Sequence, residues 1–236
     1  MSKENINVYW APDYRGSEMD WSFLYPRPKK ILTSLLQQKK NDHINISFFD
    51  SDSSYLGCPA ISSKFNNTYV FYNALKSSYD YNFEDDNLIV ERKGETGLDY
   101  TIRHTPSIKA GPVIEFSLSY IMFADKPLTA TFTAPYFHPA GYTKYGSAVP
   151  GEFDIGQWFR PYLFEVQLWK NKGELVLEEE PIFYTSFPSD AKITLHRFNL
   201  TEKLRSYSNA GIGGNRTFGK GQTLISRYKR DRKSVV

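Results

Sequence analysis

Alternation of apolar and polar residues is the main pattern along this chain, and it predicts β-strands. The strongest run is 113–124, where every second residue is apolar from Ile114 to Met122 and most of the others are polar. Shorter runs of the same kind lie between polar or Gly- and Pro-containing turns. They are 6–10, 68–72, 79–83, 88–91, 100–103, 128–133, 162–169, 174–177, 181–187 and 192–198. The pattern predicts an all-β, mainly antiparallel protein.

Two segments have helical features instead. In 29–40 the apolar residues fall at helical spacing after a proline, and lysines occupy the far end, as the helix dipole favours. Their predicted apolar stripe is Ile31, Leu32, Leu35 and Leu36. A second, short helix is predicted over 200–208, with Thr201 as its cap and Gly211 after its end. We expect the helix at 29–40 to pack beside a sheet.

The spacing of strands and turns indicates how the sheets are built. About ten to twelve short strands, with turn signals every 8–12 residues, are typical of a jelly-roll-like β-sandwich. Turns at 125–127 and 171–173 predict hairpins. We expect one domain over 1–210, with a side helix near its start, and a Gly-rich basic tail over 211–236. An open mixed sheet with the helix on one face is the alternative.

The segment 134–161, here called the aromatic loop, separates two predicted strands and has no strand or helix period of its own. Connections much longer than about 15 residues are uncommon in compact domains unless they are functional or packed by their own side chains. We expect it to bind a protein partner or a ligand such as a sugar or single-stranded nucleic acid, although its rings could instead extend the core. The candidate binding residues are Tyr136, His138, Tyr142, Trp158 and Arg160.

Charge is unevenly distributed along the chain. From residue 216 onward there are seven basic residues and one acid, Asp231, which is a net +6, so the rest carries 22 basic and 25 acidic residues, a net −3. A basic tail on an acidic body is typical of a chain whose end contacts something negative: nucleic acid, an acidic subunit or its own body. The candidate contact residues are Arg216, Lys220, Arg227, Lys229, Arg230, Arg232 and Lys233.

Most catalytic and metal-binding motifs are missing from the sequence. None of the four histidines has the acid two residues later that a jelly-roll metal site uses, and there is no G-x-S-x-G elbow. Gly214 to Gly221 resembles a phosphate-binding loop but has Gly221 where Ser or Thr is needed. An enzyme site could still combine His138 with Glu152 or Asp154. We expect no catalytic residue, metal or cofactor.

Compartment signals are few. The single cysteine, Cys58, excludes an intramolecular disulfide, suits a reducing compartment and is expected to be buried. No signal peptide or membrane-spanning run is recognisable, so we expect neither classical secretion nor membrane insertion.

Several motifs together resemble a family of uncharacterised proteins of large tailed, T4-like bacteriophages of marine bacteria. They are DWSFLYPRP, CPAISSKFNNTYVF, APYFHPAG, FDIGQWFRPYLFE and EEEPIFYTSF, and they cover about residues 8 to 200. The resemblance implies a viral protein in the host cytoplasm or the virion, and it implies no activity.

These observations favour a non-enzymatic phage-type binding or assembly protein that acts through the aromatic loop and the basic tail. Its partners would be other protein subunits, either its own copies or proteins of the virion or host. One alternative is a jelly-roll enzyme with a site under the aromatic loop. The other is a nucleic-acid-associated host-takeover factor that binds through the tail.

Overall fold

The computed structural model describes residues 4–14, 22–41, 58–84, 87–94, 98, 100–103, 111–138, 140–159 and 161–213. These residues are mostly in β-strands, with few helices. The strands are β1 (Asn5–Tyr14), β2 (Lys29–Lys30), β3 (Thr68–Tyr72), β4 (Ser77–Glu84), β5 (Asn87–Lys93), β6 (Tyr100–Arg103), β7 (Val113–Ala124), β8 (Thr129–Thr133), β9 (Gly146–Ala148), β10 (Gly151–Asp154), β11 (Pro161–Leu168), β12 (Lys172–Leu177), β13 (Pro181–Ser186) and β14 (Lys192–Arg197). The α-helices are α1 (Ile31–Asn41), α2 (Pro59–Phe65) and α3 (Glu202–Gly213).

The described strands form three sheets. The first has the order β14-β1-β7-β11-β9, with β6 also paired to β7, the second has the order β10-β8-β13-β3-β2, and the third has the order β12-β4-β5. Strands β1 and β14 pair in parallel, from Asn5 opposite Lys192 to Trp10 opposite Arg197, and the other pairings between described strands are antiparallel. The predicted all-β, mainly antiparallel class is therefore confirmed.

The two-residue period of the sequence places the core. In β7 the alternating side chains from Ile114 to Met122 are buried, as predicted, and in β11 those from Tyr162 to Leu168 are buried. Ring contacts join the first sheet to the second, with centroids 6.2 Å apart for Trp10 and Phe71, and 4.7 Å apart for Phe132 and Tyr162. Such aromatic pairs contribute free energy beyond the apolar area they bury. One apolar cluster thus includes side chains of both sheets.

A second, smaller cluster contains Ile31 of α1, Phe65 of α2, Val70 of β3 and Tyr184 of β13. Helix α1 begins at Ile31 instead of residue 29, because Lys29 and Lys30 pair with β3 as β2. Its predicted stripe is only partly correct. Ile31 and Ser34 are buried, whereas Leu32 and Leu36 are each 43% exposed. The buried face is therefore rotated toward Ser34, a polar residue.

Both predicted hairpins are wrong. Strand β7 belongs to the first sheet and β8 to the second, so the turn at 125–127 carries the chain from one sheet to the other. In the same way, β11 belongs to the first sheet and β12 to the third. A turn signal in the sequence marks where the chain reverses, but the pairing of the strands depends on which sheet can bury each apolar face.

Two segment ends also differ from expectation. Cys58 is exposed, because it immediately precedes α2 and does not form a buried corner. The predicted short helix is α3, which begins at Glu202 and continues to Gly213, beyond the predicted domain boundary at 210. The predicted cap is present, since the Leu204 amide donates to the Thr201 hydroxyl over 3.3 Å.

Candidate functional site

The aromatic loop is more regular than its sequence indicates. It contains a 3-10 turn, Gly141–Lys144, and the strands β9 and β10. Strand β9 pairs with β11 of the first sheet and β10 with β8 of the second, so the segment crosses between the sheets. The expectation that 134–161 has no regular structure is wrong, because elements of three or four residues are too short to produce a visible period.

A buried hydrogen-bond network ties the loop to the rest of the molecule. The imidazole of His138 contacts the Tyr184 hydroxyl through Nδ1, at 2.6 Å, and the Ser34 hydroxyl through Nε2, at 2.9 Å. Ser34 in turn contacts the Tyr72 hydroxyl at 2.5 Å. The amide of Phe137 donates to the Tyr184 oxygen over 3.0 Å. The network therefore connects the loop with α1, β3 and β13.

A neutral imidazole satisfies both of its contacts. We assign the proton to Nε2, which donates to Ser34, because Nδ1 then accepts from Tyr184 while the Tyr184 oxygen accepts from Phe137. Burial lowers the pKa of His138 from 6.5 to about 4. Burial likewise raises the pKa of Tyr184 and of Tyr72. The network is thus uncharged at neutral pH.

The Ser34–His138 contact has the geometry of a nucleophile and its base, but its surroundings do not suit catalysis. A general base works best when its pKa lies near the working pH, and that of His138 is well below 7. Both side chains are about 5% exposed, so a substrate would have little access to either of them. The arrangement is suited to fixing the loop in position.

The 3-10 turn has its own anchor. The carboxylate of Glu180, itself buried, accepts from the amides of Gly141 and Tyr142, two donors at the start of the turn that have no acceptor within it. The Tyr142 hydroxyl donates to the Ile182 carbonyl over 2.6 Å. Burial raises the pKa of this hydroxyl, with a smaller contribution from Glu180. The loop is thus held by Glu180, which immediately precedes β13, and by Ile182 within β13.

A small pocket lies beneath the crossing between β9 and β10. Its volume is about 130 Å³, and five of its thirteen described lining residues are aromatic. Val149 and Pro150 form part of its rim, while Thr133 and Glu165 supply polar atoms. Among the described residues that line it, Glu165 is the only carboxylate, and there is no histidine, cysteine, lysine or arginine. The pocket therefore offers both apolar and polar surface to an occupant.

The predicted binding residues separate into three groups. Tyr136 is 56% exposed, and Trp158 is half-buried against Phe153, so both reach the surface. His138 and Tyr142 are buried, which corrects the expectation that they contact a partner directly; their polar atoms bond within the molecule instead. Arg160 and the seven basic residues of the tail lie outside the described residues.

The suggested pairing of His138 with loop carboxylates is also corrected. His138 bonds Ser34 and Tyr184, and the Asp154 carboxylate accepts from the Gly156 amide and from Gln157. Within the described ranges, no group of three or more His, Cys, Asp or Glu side chains is placed to hold a metal ion. In the same part of the chain, no helix is long and apolar enough to cross a membrane.

Sequence reasoning missed Ser34, Tyr72 and Tyr184. One signal was available for Ser34, since it stands three residues after Ile31, on what became the buried face of α1. A polar residue on an apolar face must find a hydrogen-bond partner, and that partner is His138. No pattern in the sequence pairs residues 34, 138 and 184.

Comparison with known proteins finds no match: neither a protein-family model, nor a curated protein, nor a solved structure is significantly similar to this chain.

Proposed function

We propose that this protein is a non-enzymatic binding protein that assembles with copies of itself, with the aromatic loop as a rigid contact surface and the basic tail as a second contact. One observation carries the proposal. The polar groups of His138 and Tyr142 are buried in internal hydrogen bonds, whereas Tyr136, at 56%, and Val149, at 38%, present apolar surface to solvent beside exposed polar residues such as Lys144 and Glu152.

Rigidity favours binding, because an ordered surface loses little entropy when a partner docks. The His138 network and the Glu180 anchor hold the loop from several sides. Tyr136 packs against the rings of Phe137 and Tyr184, with centroids 4.8 Å and 4.9 Å away, so its exposed part is supported from below. Aromatic side chains supported in this way are frequent anchors of protein interfaces.

The tail adds an electrostatic contribution. Its net +6 is opposite in sign to the −3 of the remaining chain, so the tail of one copy would be attracted to the body of another. This charge pattern is the reason for choosing self-assembly over an unrelated partner.

We also propose that the sheets form a jelly-roll-like β-sandwich and that the protein is encoded by a phage. Apolar and aromatic side chains of the two larger sheets share one cluster, and β7 and β8 are consecutive but lie in different sheets, which supports a jelly-roll-like β-sandwich. The motifs noted above support a phage-encoded protein of the virion or the host cytoplasm. The parallel pairing of β1 with β14 departs from a purely antiparallel jelly roll.

The enzyme alternative receives some support from the pocket under the loop, because enzyme sites are concave. However, among its described lining residues Glu165 is the only carboxylate and there is no histidine, lysine or cysteine, so an acid–base pair would have to use Glu165 and the Tyr162 hydroxyl. A volume of about 130 Å³ is also small for a substrate, so the pocket fits a single side chain of a partner better.

Light scattering on a sizing column tests the proposal. We expect the full chain to form a defined oligomer, and we expect the combined substitution Tyr136→Ser and Val149→Ser to shift it toward the monomer. The matched control is Ile89→Ser on β5, which removes an equally exposed apolar side chain, 52% exposed, from the third sheet. A second variant replaces the seven basic tail residues by glutamine and should also weaken the oligomer.

A monomeric full chain across the accessible concentration range would overturn self-assembly. An oligomer that Ile89→Ser weakens as much as the loop variant does would overturn the role of the loop. Absorbance at two wavelengths on the same column detects copurifying nucleic acid. If removing that nucleic acid also abolishes the oligomer, the nucleic-acid alternative is favoured.

A further inference from the structure

Trp169 is unusually exposed for a tryptophan. It directly follows β11, and 59% of its surface is accessible. Nevertheless, it is firmly held: its backbone amide donates to the Tyr145 carbonyl over 2.8 Å, and its indole Nε1 donates to the Thr143 carbonyl over 3.3 Å. Thr143 lies in the 3-10 turn of the aromatic loop, and Tyr145 is the residue that follows that turn. The indole is therefore fixed by its edge and leaves much of its surface to solvent.

No ring is stacked on this indole among the described residues. The other described tryptophans have ring neighbours, since Trp10 contacts Phe71 and Tyr120, and Trp158 contacts Phe153. Leaving an apolar indole in water forgoes about 25 cal/mol for each Å² that could have been buried. A rigid, uncovered indole is what a stacking site for a planar ligand requires.

Three lysines lie next to Trp169 in sequence or next to the residues that anchor it. Lys144 stands between the two residues that anchor it, Lys170 follows it, and Lys172 begins β12. All three lysines are exposed. In the part of the chain that the structure describes, none of them forms an ion pair with a carboxylate, whereas Lys93 pairs with both Asp80 and Glu174.

Two acidic residues of this region already have partners. Glu174, on β12, accepts from the Ser78 hydroxyl and pairs with Lys93, and these contacts lower its pKa. Glu180 lies buried beneath the start of the 3-10 turn, where it accepts from backbone amides. Neither of these two carboxylates therefore neutralises the lysines near Trp169.

We propose that Trp169, Lys144, Lys170 and Lys172, here called the Trp169 surface, bind single-stranded nucleic acid. A base stacks on the exposed face of the indole, and the lysines contact the phosphates on either side. A duplex would not fit in this way, since its bases are already stacked on each other. An acidic peptide would use the lysines but would leave the indole face uncovered.

The sequence of the tail supports this choice of ligand. Phe218 and Tyr228 lie among its basic residues, so the same combination of rings and positive charge occurs twice in the chain. Binding at the Trp169 surface goes beyond the proposed assembly and does not depend on it, because Tyr136 and Val149 are not among its residues.

Fluorescence anisotropy with a labelled oligothymidylate of about 20 nucleotides tests the proposal on the full chain. We expect Trp169→Ala to raise the dissociation constant about 5- to 150-fold, the range for loss of one stacked base. Trp169→Phe keeps a ring and should lose much less. The tail is unchanged in both variants, so its own contribution cancels in the comparison.

The lysines are tested by the salt dependence of the same binding. Lys144→Gln with Lys170→Gln should flatten the slope of log affinity against log salt by about 1.4, since each phosphate contact on a single strand contributes about 0.7. The control, Lys192→Gln with Lys203→Gln, changes the net charge equally at two exposed lysines elsewhere. Circular dichroism and thermal unfolding verify that each variant is folded.

Three results would overturn the inference. They are an oligothymidylate affinity that Trp169→Ala leaves unchanged, equal losses in the lysine variant and its control, and binding of a duplex or of polyglutamate as tight as that of the single strand.

Discussion

At the scale of single residues, His138 has the largest consequence. It accepts from one neighbour and donates to another without carrying charge, and its buried position disfavours the protonated form. Protonation would add an N–H at Nδ1, so the Tyr184 hydroxyl could no longer donate there and would have to reverse its hydrogen bond. The position of the aromatic loop therefore depends on a neutral imidazole.

This dependence predicts how stability changes with pH. The unfolded chain takes up a proton on His138 near its usual pKa of 6.5, while the folded protein does so only near 4. The free energy of unfolding should thus be unaffected by this group above pH 6.5 and should decrease as the pH falls toward 4. The two pKa values imply a loss of about 2 kcal/mol by about pH 5.

Thermal unfolding at several pH values, for the wild type and His138→Gln, measures this contribution. Glutamine can donate and accept but does not titrate, so the variant should be less stable at neutral pH and lose less stability on acidification. His196→Gln is the control, since His196 is exposed and bonded to Asn7. If all three proteins lose the same stability on acidification, His138 is not the group responsible.

At the scale of elements, β9 depends on a glycine. A Cβ at Gly146 would collide with the Gln167 backbone oxygen and would lie 2.8 Å from Cγ1 of Val166. The strand can therefore approach β11 only because position 146 has no side chain. One residue thus allows the aromatic loop to join the first sheet before it crosses to the second.

We expect Gly146→Ala to destabilise the protein by about 1–3 kcal/mol, the usual cost of overpacking. Urea unfolding measures this cost, and Ser147→Ala is the control in the same strand, because the Ser147 hydroxyl makes only a 3.3 Å contact with the neighbouring carbonyl. The control should change stability by less than about 0.5 kcal/mol. Equal effects of the two substitutions would contradict the close approach of β9 to β11.

Secondary structure was predictable where an element is long enough to show its period. Strand β7 has twelve residues, and its buried face follows directly from the alternation. Strands β9 and β10 have three and four residues, and their pairing is decided by strands distant in sequence. Both hairpin predictions failed for a related reason: local signals specify a turn but not the sheet that receives the next strand.

At the scale of the whole molecule, the opposite charges of tail and body should make assembly depend on salt. Attraction between exposed charges is screened over about 10 Å at about 0.1 M salt, and over less at higher concentrations. We therefore expect the oligomer of the full chain to weaken as sodium chloride rises from about 0.05 M to about 0.5 M. Light scattering at each concentration measures the change.

The variant in which glutamine replaces the seven basic tail residues serves as the comparison. Its oligomer, if any, should be weaker at low salt and less sensitive to added salt, since the remaining contact would be the apolar surface of the aromatic loop. An oligomer of the full chain that grows stronger with salt would show that apolar contacts hold it and that the tail does not.

The candidate site was predictable only in part, and particular residues show why. The composition of 134–161 directed attention to the loop, and Tyr136 and Trp158 do reach its surface. His138 and Tyr142 could not be distinguished from them, because the sequence does not state which aromatic residue turns inward. The alternation of residues 162–169 assigned Trp169 to a strand. Only its hydrogen bonds to Thr143 and Tyr145 show that its exposed ring is fixed in position.

The sequence by itself determined the all-β class, the faces of the long strands and the separation of a basic tail from an acidic body. These properties depend on residue type and short-range spacing, which are readable along one dimension. The tertiary structure decided which strands pair, which polar groups are buried together and which aromatic side chains stay exposed. Ser34, His138 and Tyr184 lie far apart in the chain, and they form one network only because folding brings α1, the aromatic loop and β13 together.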